Sequence, residues 1–367
     1  MHTCPLIGLD GRILEIPFRH SFRHASAVRD QAAALWVTAS GFDGLVGYGE
    51  GCPREYVTGE SVRSALIFIE QYRESLLEIV RDLGSLKEWM LEHHDVIEIN
   101  PAAWCAIELA LLDLMAQSVG QPVEDFLGLP RLHGPYIYTA VIGVTSAEKC
   151  AVLLSQYKKL KIVDFKLKLS GNLESDRANL ALVRTAGAER LRVDANNLWS
   201  DLGSACDYLE QLNTPLFAVE EPFKVGQFDL MSKLAEICDT RIILDESVNR
   251  REHLDSITSD ASRWIVNLRV SKMGGLLRSL DVIKDCRTRQ LPVIIGAQVG
   301  ETSLLTRAAL TLANATRDIL LAQEGAFGTY LLDYDMCSPE LKFGVGGRLD
   351  IDTTGIAERL GFGLQLS

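Results

Sequence analysis

Hydrophobic and polar positions divide the chain into two regimes. Over the first third, Gly11 to Ile16, Ala32 to Ala39 and Leu45 to Glu50 have the β-branched character of strands. A helix is expected from about Ser61 to Leu83, with Thr58 or Ser61 near its start. A second should run from about Pro101 to Ser118. Asn100 suits its N-cap, Pro101 its first turn and Gly120 its stop, and Trp104, Ile107, Leu111 and Leu114 form an apolar face at helical spacing. From Tyr136 onward, short apolar strands alternate with amphipathic helices. Strands are expected near 136–143, 163–169, 191–194, 216–220, 242–245, 264–269, 292–297 and 319–324, with helices such as 174–187, 201–212, 276–288 and 302–314 between them. Only the last unit looks short of helix. Eight such repeats predict an α/β fold, a closed (β/α)8 TIM-type barrel rather than an open sheet. The Gly-rich tail from about Leu341 is expected to return to the N-terminal unit.

Size agrees with this division. A barrel takes roughly 200–250 residues, and a chain of 367 leaves a second unit besides. Apolar residues at 47% and charged residues at 23% are ordinary for a globular protein. The net charge of −12 argues against a nucleic-acid or anionic-membrane partner. No apolar run reaches about 18 residues, so no transmembrane helix is expected. The N-terminus, Met1-His2-Thr3-Cys4-Pro5, carries no secretory pattern, and a cytoplasmic location is expected. The eight cysteines are scattered without a CxxC pair, which points to buried reduced thiols rather than disulfides or zinc.

Candidate chemistry recurs at the ends of the predicted strands, where barrel enzymes keep it. Lys166 and Lys168 end the second strand, Asp194 the third, Glu220 and Glu221 the fourth, and Asp245 and Glu246 the fifth. The steps from Lys168 to Asp194, Glu220 and Asp245 are 26, 26 and 25 residues, one βα unit each, so the four should converge on one mouth. Any one of these acids is more simply a solvated or capping carboxylate; their recurrence is what carries a site. Three carboxylates in a ring suit a hard divalent cation, Mg²⁺ or alternatively Mn²⁺, with positions left open for substrate oxygens. Such an ion stabilises the enediolate formed when the proton next to a carboxylate leaves. Lys168 is the candidate base, its charged form disfavoured by the metal and by Lys166. Lys166 is alternatively a contact for the substrate carboxylate. Asn196, Glu221 and Glu246 lie beside the candidate ligands and are expected to support them.

These segments resemble a known family. Val163-Asp-Phe-Lys-Leu-Lys168, Arg192-Val-Asp-Ala-Asn196, Val219-Glu-Glu-Pro222, Leu244-Asp-Glu-Ser247 and Lys272-Met-Gly-Gly275 look like the muconate-lactonizing-enzyme subgroup of the enolase superfamily. Asn100 to Leu114, then Gly120-Gln-Pro122 and Leu127-Gly128, resemble that family's segment leading into the barrel, so the likeness covers nearly the whole chain. It implies an α+β capping domain over 1–128, with lid loops near 19–29 and 52–61. The barrel would take 129–335, and 336–367 would return to the cap. It also implies Mg²⁺ on Asp194, Glu220 and Asp245, Lys168 as acid/base on one face, a small-molecule carboxylate substrate and a homo-oligomer built on dimers.

One departure bears on the reaction. The family usually places a second catalytic lysine five residues before the Gly-Gly pair, where this chain has Arg269. Arginine stays protonated, so it is a poor base and a good carboxylate clamp; alternatively it only neutralises neighbouring acids. Lys272 matches a different, commonly basic position. One-base chemistry, cycloisomerisation or syn-dehydration, is therefore slightly favoured over racemisation or epimerisation of amino-acid derivatives. A catalytically silent metal- and anion-binding relative is a further alternative, against which the intact Lys166/Lys168 pair and three carboxylates count. Arg19 and Arg23 belong to a basic cluster in the first lid segment, and Tyr56 lies in the second; all three are candidate substrate contacts. Gln298 and Glu301 after the seventh strand offer further polar contacts. The eighth strand lacks the Asp-x-Asp that binds the substrate ammonium in dipeptide epimerases, and Glu324 is its partial replacement.

Overall fold

The computed structural model describes residues 4, 6–24, 27–257 and 260–367, with the side chains of 22–24 and 27–28 outside that description. The N-terminal part opens with three antiparallel strands, β1 (Leu6–His24), β2 (Ala27–Gly41) and β3 (Val46–Gly51), in the order β1-β2-β3. The β1/β2 ladder runs from Leu6↔Gly41 to His24↔Ala27. The described residues of the first lid segment therefore belong to a long hairpin, not to an irregular loop.

Where one helix was expected over 61–83, there are two, α1 (Val62–Ile79) and α2 (Leu83–Glu92). Ser61, rather than Thr58, caps α1 by accepting from Ser64 N. Val80 then turns extended, and Asp82 starts α2 by accepting from Ser85 N, so a second cap interrupts the apolar pattern. After α3 (His94–Glu98) comes α4 (Pro101–Ser118), with the bounds its sequence predicts. Its burial differs from the expectation of one apolar face: every residue from Pro101 to Ala116 is buried. Elements pack on it from several sides; the closest is β3, whose glycines bring strand backbone onto the helix. A Cβ at Gly49 would stand 1.8 Å from Ala106 O, and one at Gly47 2.2 Å from Ala110 O. Asn100 holds the N-cap position but not the capping bond. Its Nδ2 donates to Val96 O, and Glu60 accepts from Ala102 N and Ala103 N instead, each at 2.9 Å.

A short helix α5 (Val123–Leu127) leads to the barrel. The stretch expected as one first strand is split into β4 (Pro135–Ile137), which pairs with β14 (Arg348–Asp350), and β5 (Ala140–Ile142). There follow α6 (Ala147–Lys159), β6 (Asp164–Lys168), α7 (Leu173–Thr185), β7 (Arg190–Asp194), α8 (Leu202–Leu212), β8 (Ala218–Glu220) and α9 (Phe228–Ile237). The rest of the barrel is β9 (Ile242–Leu244), β10 (Trp264–Leu268), α10 (Val270–Met273), α11 (Leu276–Thr288), β11 (Val293–Ile295), α12 (Ser303–Ala315) and β12 (Leu320–Gln323). Two units lack a full helix, not one: a 3-10 turn over Arg251–Ser256 follows β9, and another over Gly328–Tyr330 follows β12.

The eight barrel strands are parallel neighbours from β5 to β12. A parallel bridge between Tyr138 and Gln323, with Thr139 N donating to Gln323 O at 2.8 Å, joins the two ends. Ala218, Ile243, Ile265, Ile294 and Ala322 form a separate apolar cluster. Two residues further along the chain from each of these stand Glu220, Asp245, Asn267, Gly296 and Glu324, in the strands or just past their ends. Four of these five are polar, so alternation places a largely polar tier above an apolar one.

The tail carries β13 (Cys337–Ser338) and β15 (Gln365–Leu366), paired with each other. It reaches the N-terminal part through Phe362 N, which donates to Asp113 Oδ1 at 2.8 Å, and Val123 N, which donates to Gly361 O at 2.9 Å. Buried carboxylates tie the two parts elsewhere: Glu50 accepts from Thr302 N (3.0 Å), and Glu108 from Leu276 N and Leu277 N (2.6 and 3.1 Å). All eight cysteines are free; Cys206 and Cys238 are half-buried and the others buried. No helix among the described residues is long and apolar enough to cross a membrane.

Candidate active site

Strand register delivers the chemistry. Lys168, Asp194 and Glu220 are direct partners across β6, β7 and β8, and Asp245 follows β9 immediately. All four are buried, which for charged groups requires partners. Lys168 Nζ donates to Asp194 Oδ2 at 2.5 Å and to Asn196 Oδ1 at 3.0 Å. Lys166 Nζ donates to Glu220 Oε2 at 2.9 Å and to Glu324 Oε2 at 2.6 Å. Asp245 forms ion pairs with Arg269 and with Lys272, the latter at 3.0 Å.

The electrostatics follow from these pairs. Burial works against the Lys166 ammonium, but Glu220, Glu324 and Asp194 outweigh it and raise its pKa. Lys166 is therefore held as a cation. Burial raises the Glu220 pKa despite Lys166, and Asp194 and Glu324 raise it further. Glu324 is held below its ordinary value because Lys166 and Arg192 overcome its burial. Burial carries Glu221 up to about 7 and, with Glu221 and Asp194 beside it, Glu246 up to about 8. Glu221 accepts from Asp245 N, Ser247 N and Ser247 Oγ, so it fixes the turn that presents Asp245. Lys272 grips that turn from the other side through Asp245 O, Val248 O and Asn267 O. It is wholly enclosed there, and desolvation together with Arg269 lowers its pKa to about 7.

The remaining candidates divide between the later strand ends and the N-terminal segments. Arg269 Nη1 donates to Gln298 Oε1 at 2.9 Å, and Gln298 N donates to Glu301 Oε1 at 2.6 Å. The Glu324 carboxylate is occupied by Lys166 and by Arg192, the latter at 3.1 Å. Arg19 is exposed and spends its guanidinium on Leu332 O and Asp333 O, at 3.1 and 3.2 Å. The Arg23 side chain lies outside the described residues. Tyr56 is half-buried, with the Arg29 guanidinium 5.9 Å from its ring centre, so the two segments expected as lids meet there.

Three participants are not singled out by the sequence reading. Asn267 Nδ2 donates to Glu220 Oε1 at 3.2 Å, and Arg192, fully buried, holds Glu324. Arg54, also buried, donates to Val299 O at 2.7 Å and so ties the second lid segment to the turn after β11. For Asn267 and Arg192 a signal exists: each is polar, inside an apolar strand, two residues from a candidate residue, hence on the same face. Arg54 has no comparable local signal.

As placed, no three His, Cys, Asp or Glu side chains among the described residues are gathered closely enough to hold an ion. Each candidate ligand turns to a lysine or arginine instead. The donor set still fits a hard divalent cation, with three buried carboxylates on consecutive strand ends. Beside them, Glu246 Oε2 is buried without a hydrogen-bond partner. Asp194, Glu220 and Asp245 are the residues that would hold Mg²⁺.

Known proteins place this arrangement. Residues 12–128 match the mandelate racemase / muconate lactonizing enzyme N-terminal domain, and residues 148–367 match the enolase C-terminal domain-like family. The chain is 28% identical to the hydrophobic dipeptide epimerase of Enterococcus faecalis, covering 86% of this chain and 89% of that one. It is 25% identical to muconate cycloisomerase 1 of Rhodococcus opacus, covering 94% and 93%. The crystal structure of the Enterococcus faecalis dipeptide epimerase with Mg and L-Leu-L-Tyr superposes with a TM-score of 0.84 at 25% identity, over 98% of this chain and 99% of that one. The muconate lactonizing enzyme of Pseudomonas fluorescens with muconolactone shares the fold, with a TM-score of 0.87 at 22% identity over 100% and 98%. Matched along both its parts, this chain belongs to the mandelate racemase/muconate lactonizing enzyme family of the enolase superfamily.

Proposed function

We propose that the protein removes the proton next to the carboxylate of a small-molecule substrate, with Lys168 as the base and Arg269 as a fixed cation across the mouth. The observation that carries this reading is the register of Lys168 with Asp194 and Glu220, which puts an amine beside two of the three candidate metal ligands. Bound at Asp194, Glu220 and Asp245, Mg²⁺ would supply Lewis-acid stabilisation of the charge that the substrate carboxylate gains. Lys168 Nζ takes the proton and returns it on the same face. Asn196 and Asp194 orient that amine. Lys166, kept cationic by Glu220 and Glu324, offers its charge to the substrate carboxylate. Arg269 remains protonated and stabilises negative charge without accepting a proton.

One-base outcomes follow, cycloisomerisation or syn-dehydration. The second reading, epimerisation of amino-acid derivatives, is favoured by the activities of several relatives, including the Enterococcus faecalis epimerase and an L-Ala-D/L-Glu epimerase of Bacillus subtilis. Incubation in D₂O with Mg²⁺ separates them. The panel holds dipeptides, N-acyl amino acids, proline derivatives, muconates and hydroxy acids, read by mass spectrometry and chiral chromatography. Deuterium entry with retained configuration supports Lys168 acting alone. Inversion supports epimerisation and removes the one-base reading. Metal binding with no exchange and no product across the panel would point to a silent relative.

A further inference from the structure

Cys206 and Cys238 are the two thiols that the fold leaves half-buried; the other six are buried. They are distant in the chain but sit on packed neighbours, Cys206 in the middle of α8 and Cys238 at the C-cap of α9. Helical spacing explains why they meet. Cys206 lies between Ala205 and Leu209, on the flank of the buried stripe of α8. Cys238 continues the stripe of Met231, Leu234 and Ala235 by one further step. Both pack against the main core, and their side chains hydrogen-bond each other, sulfur to sulfur.

The pair borders solvent and is asymmetric. Ile237 is 63% exposed, and Asp207, Glu210 and Asp239 are exposed around it. Burial raises the Cys238 thiol; its hydrogen bond to Cys206 and the nearness of Cys206 and Glu210 carry it to about 12. Cys238 is therefore the member that keeps its proton and donates it, and the Cys206 sulfur accepts. Elsewhere, Cys52 and Cys105 are fully enclosed and held well above the ordinary thiol value, as inert structural cysteines are.

We propose that Cys206 and Cys238 are a thiol pair that closes reversibly to a disulfide, cross-linking α8 to the end of α9, when the protein meets a low-molecular-weight disulfide. In this exchange the Cys206 thiolate attacks one sulfur of the small disulfide, a mixed disulfide forms, and one small thiolate leaves. The Cys238 sulfur then displaces the second small thiolate from Cys206, and the protein S–S bond forms. The protein dithiol is oxidised, the small disulfide is reduced to two thiols, and the protons of Cys206 and Cys238 end on those thiols. Since α8 and α9 follow β7 and β8, the bridge joins the units that carry Asp194 and Glu220.

The test treats the folded chain with oxidised glutathione, stops the reaction with acid, and reads intact mass and tryptic peptides without reductant. Trypsin cuts after Lys224 and Lys233, so the two cysteines fall in separate peptides unless a bridge joins them. We expect a loss of about 2 Da, the two thiol hydrogens, and a linked Cys206–Cys238 peptide, both reversed by dithiothreitol. Cys238→Ser should trap the mixed disulfide, with one glutathione on Cys206 and no bridge. If that variant does not fold, Cys238→Ala takes its place. Unchanged mass in wild type, separate glutathiones on the two cysteines, or a bridge to any other cysteine would overturn the proposal.

Discussion

Arg269 and Asp245 follow adjacent barrel strands, β10 and β9, and form an ion pair at the mouth. A guanidinium in that position is anchored to a candidate metal ligand on one side and to Gln298 on the other. It supplies charge but no base. Replacing it by a titratable amine should change the stereochemical outcome rather than only the rate. For Arg269→Lys we expect inversion of configuration to become measurable during α-proton exchange, whereas wild type retains it. Chiral chromatography of substrate recovered from D₂O checks this. Inversion by wild type would show that a second base already exists.

Lys168→Ala removes the proposed base and leaves Asp194 without its 2.5 Å ammonium partner. General-base loss costs about 10²–10⁴-fold, so exchange of the α-proton should fall at least about a hundred-fold. The midpoint of thermal unfolding should be recorded alongside. A correctly folded variant that still exchanges at the wild-type rate would transfer the role elsewhere.

Divalent-ion removal tests the carboxylate ring. A chelator should abolish exchange, and Mg²⁺ should restore it. Glu220→Gln keeps an acceptor for Lys166 and Asn267 but loses a ligand charge. Losing an outer-shell partner alone costs about 10–100-fold, so for a ligand we expect divalent-ion affinity to drop by at least about 100-fold, measured directly by Mn²⁺ electron paramagnetic resonance. Unchanged affinity would place the ion elsewhere.

Much of this site is legible because barrel chemistry is written locally. The second strand ends Lys166-Leu-Lys168 and the third Arg192-Val-Asp194, and the period of two in each puts its charges on one face. The regular interval between strand ends does the rest. What escapes is long-range. Glu50 meets Thr302 N across 252 residues, and Glu108 meets Leu276 N across 168. A carboxylate inside an apolar strand or helix signals that a partner exists, but backbone amides leave no residue type by which to name it. The interruption between α1 and α2 escapes for a different reason: apolar residues continue past Val80 while Asp82 and Ser85 start a new cap.

Packing of β3 on α4 yields a stability prediction. A methyl group at Gly49 would sit 1.8 Å from Ala106 O, backbone against which no side chain can give way. Overpacking costs typically about 1–3 kcal/mol and sometimes more, so Gly49→Ala should lower the unfolding free energy by at least about 2 kcal/mol in urea titrations. A smaller change would mean that strand and helix separate easily, contrary to the burial of α4 from Pro101 to Ala116.

Glu108 provides the pH dependence. It is buried, accepts from Leu276 N and Leu277 N at the start of α11, and burial raises its pKa from 4.5 to about 7 despite those bonds. Between these values the folded chain keeps a proton that the unfolded chain has released. The stability this proton confers is present at low pH and is lost as pH rises through about 7. The slope is at most about 1.4 kcal/mol per pH unit for one group. Glu108→Gln keeps a carbonyl acceptor and cannot ionise. Relative to wild type, the variant should therefore gain about 1–3 kcal/mol between pH 5 and pH 8, in urea unfolding with chelator present. The other buried carboxylates cancel in this comparison because both proteins contain them. A difference that stays constant with pH would mean Glu108 is ionised throughout, and that the two amides of α11 outweigh the cost of enclosing its charge.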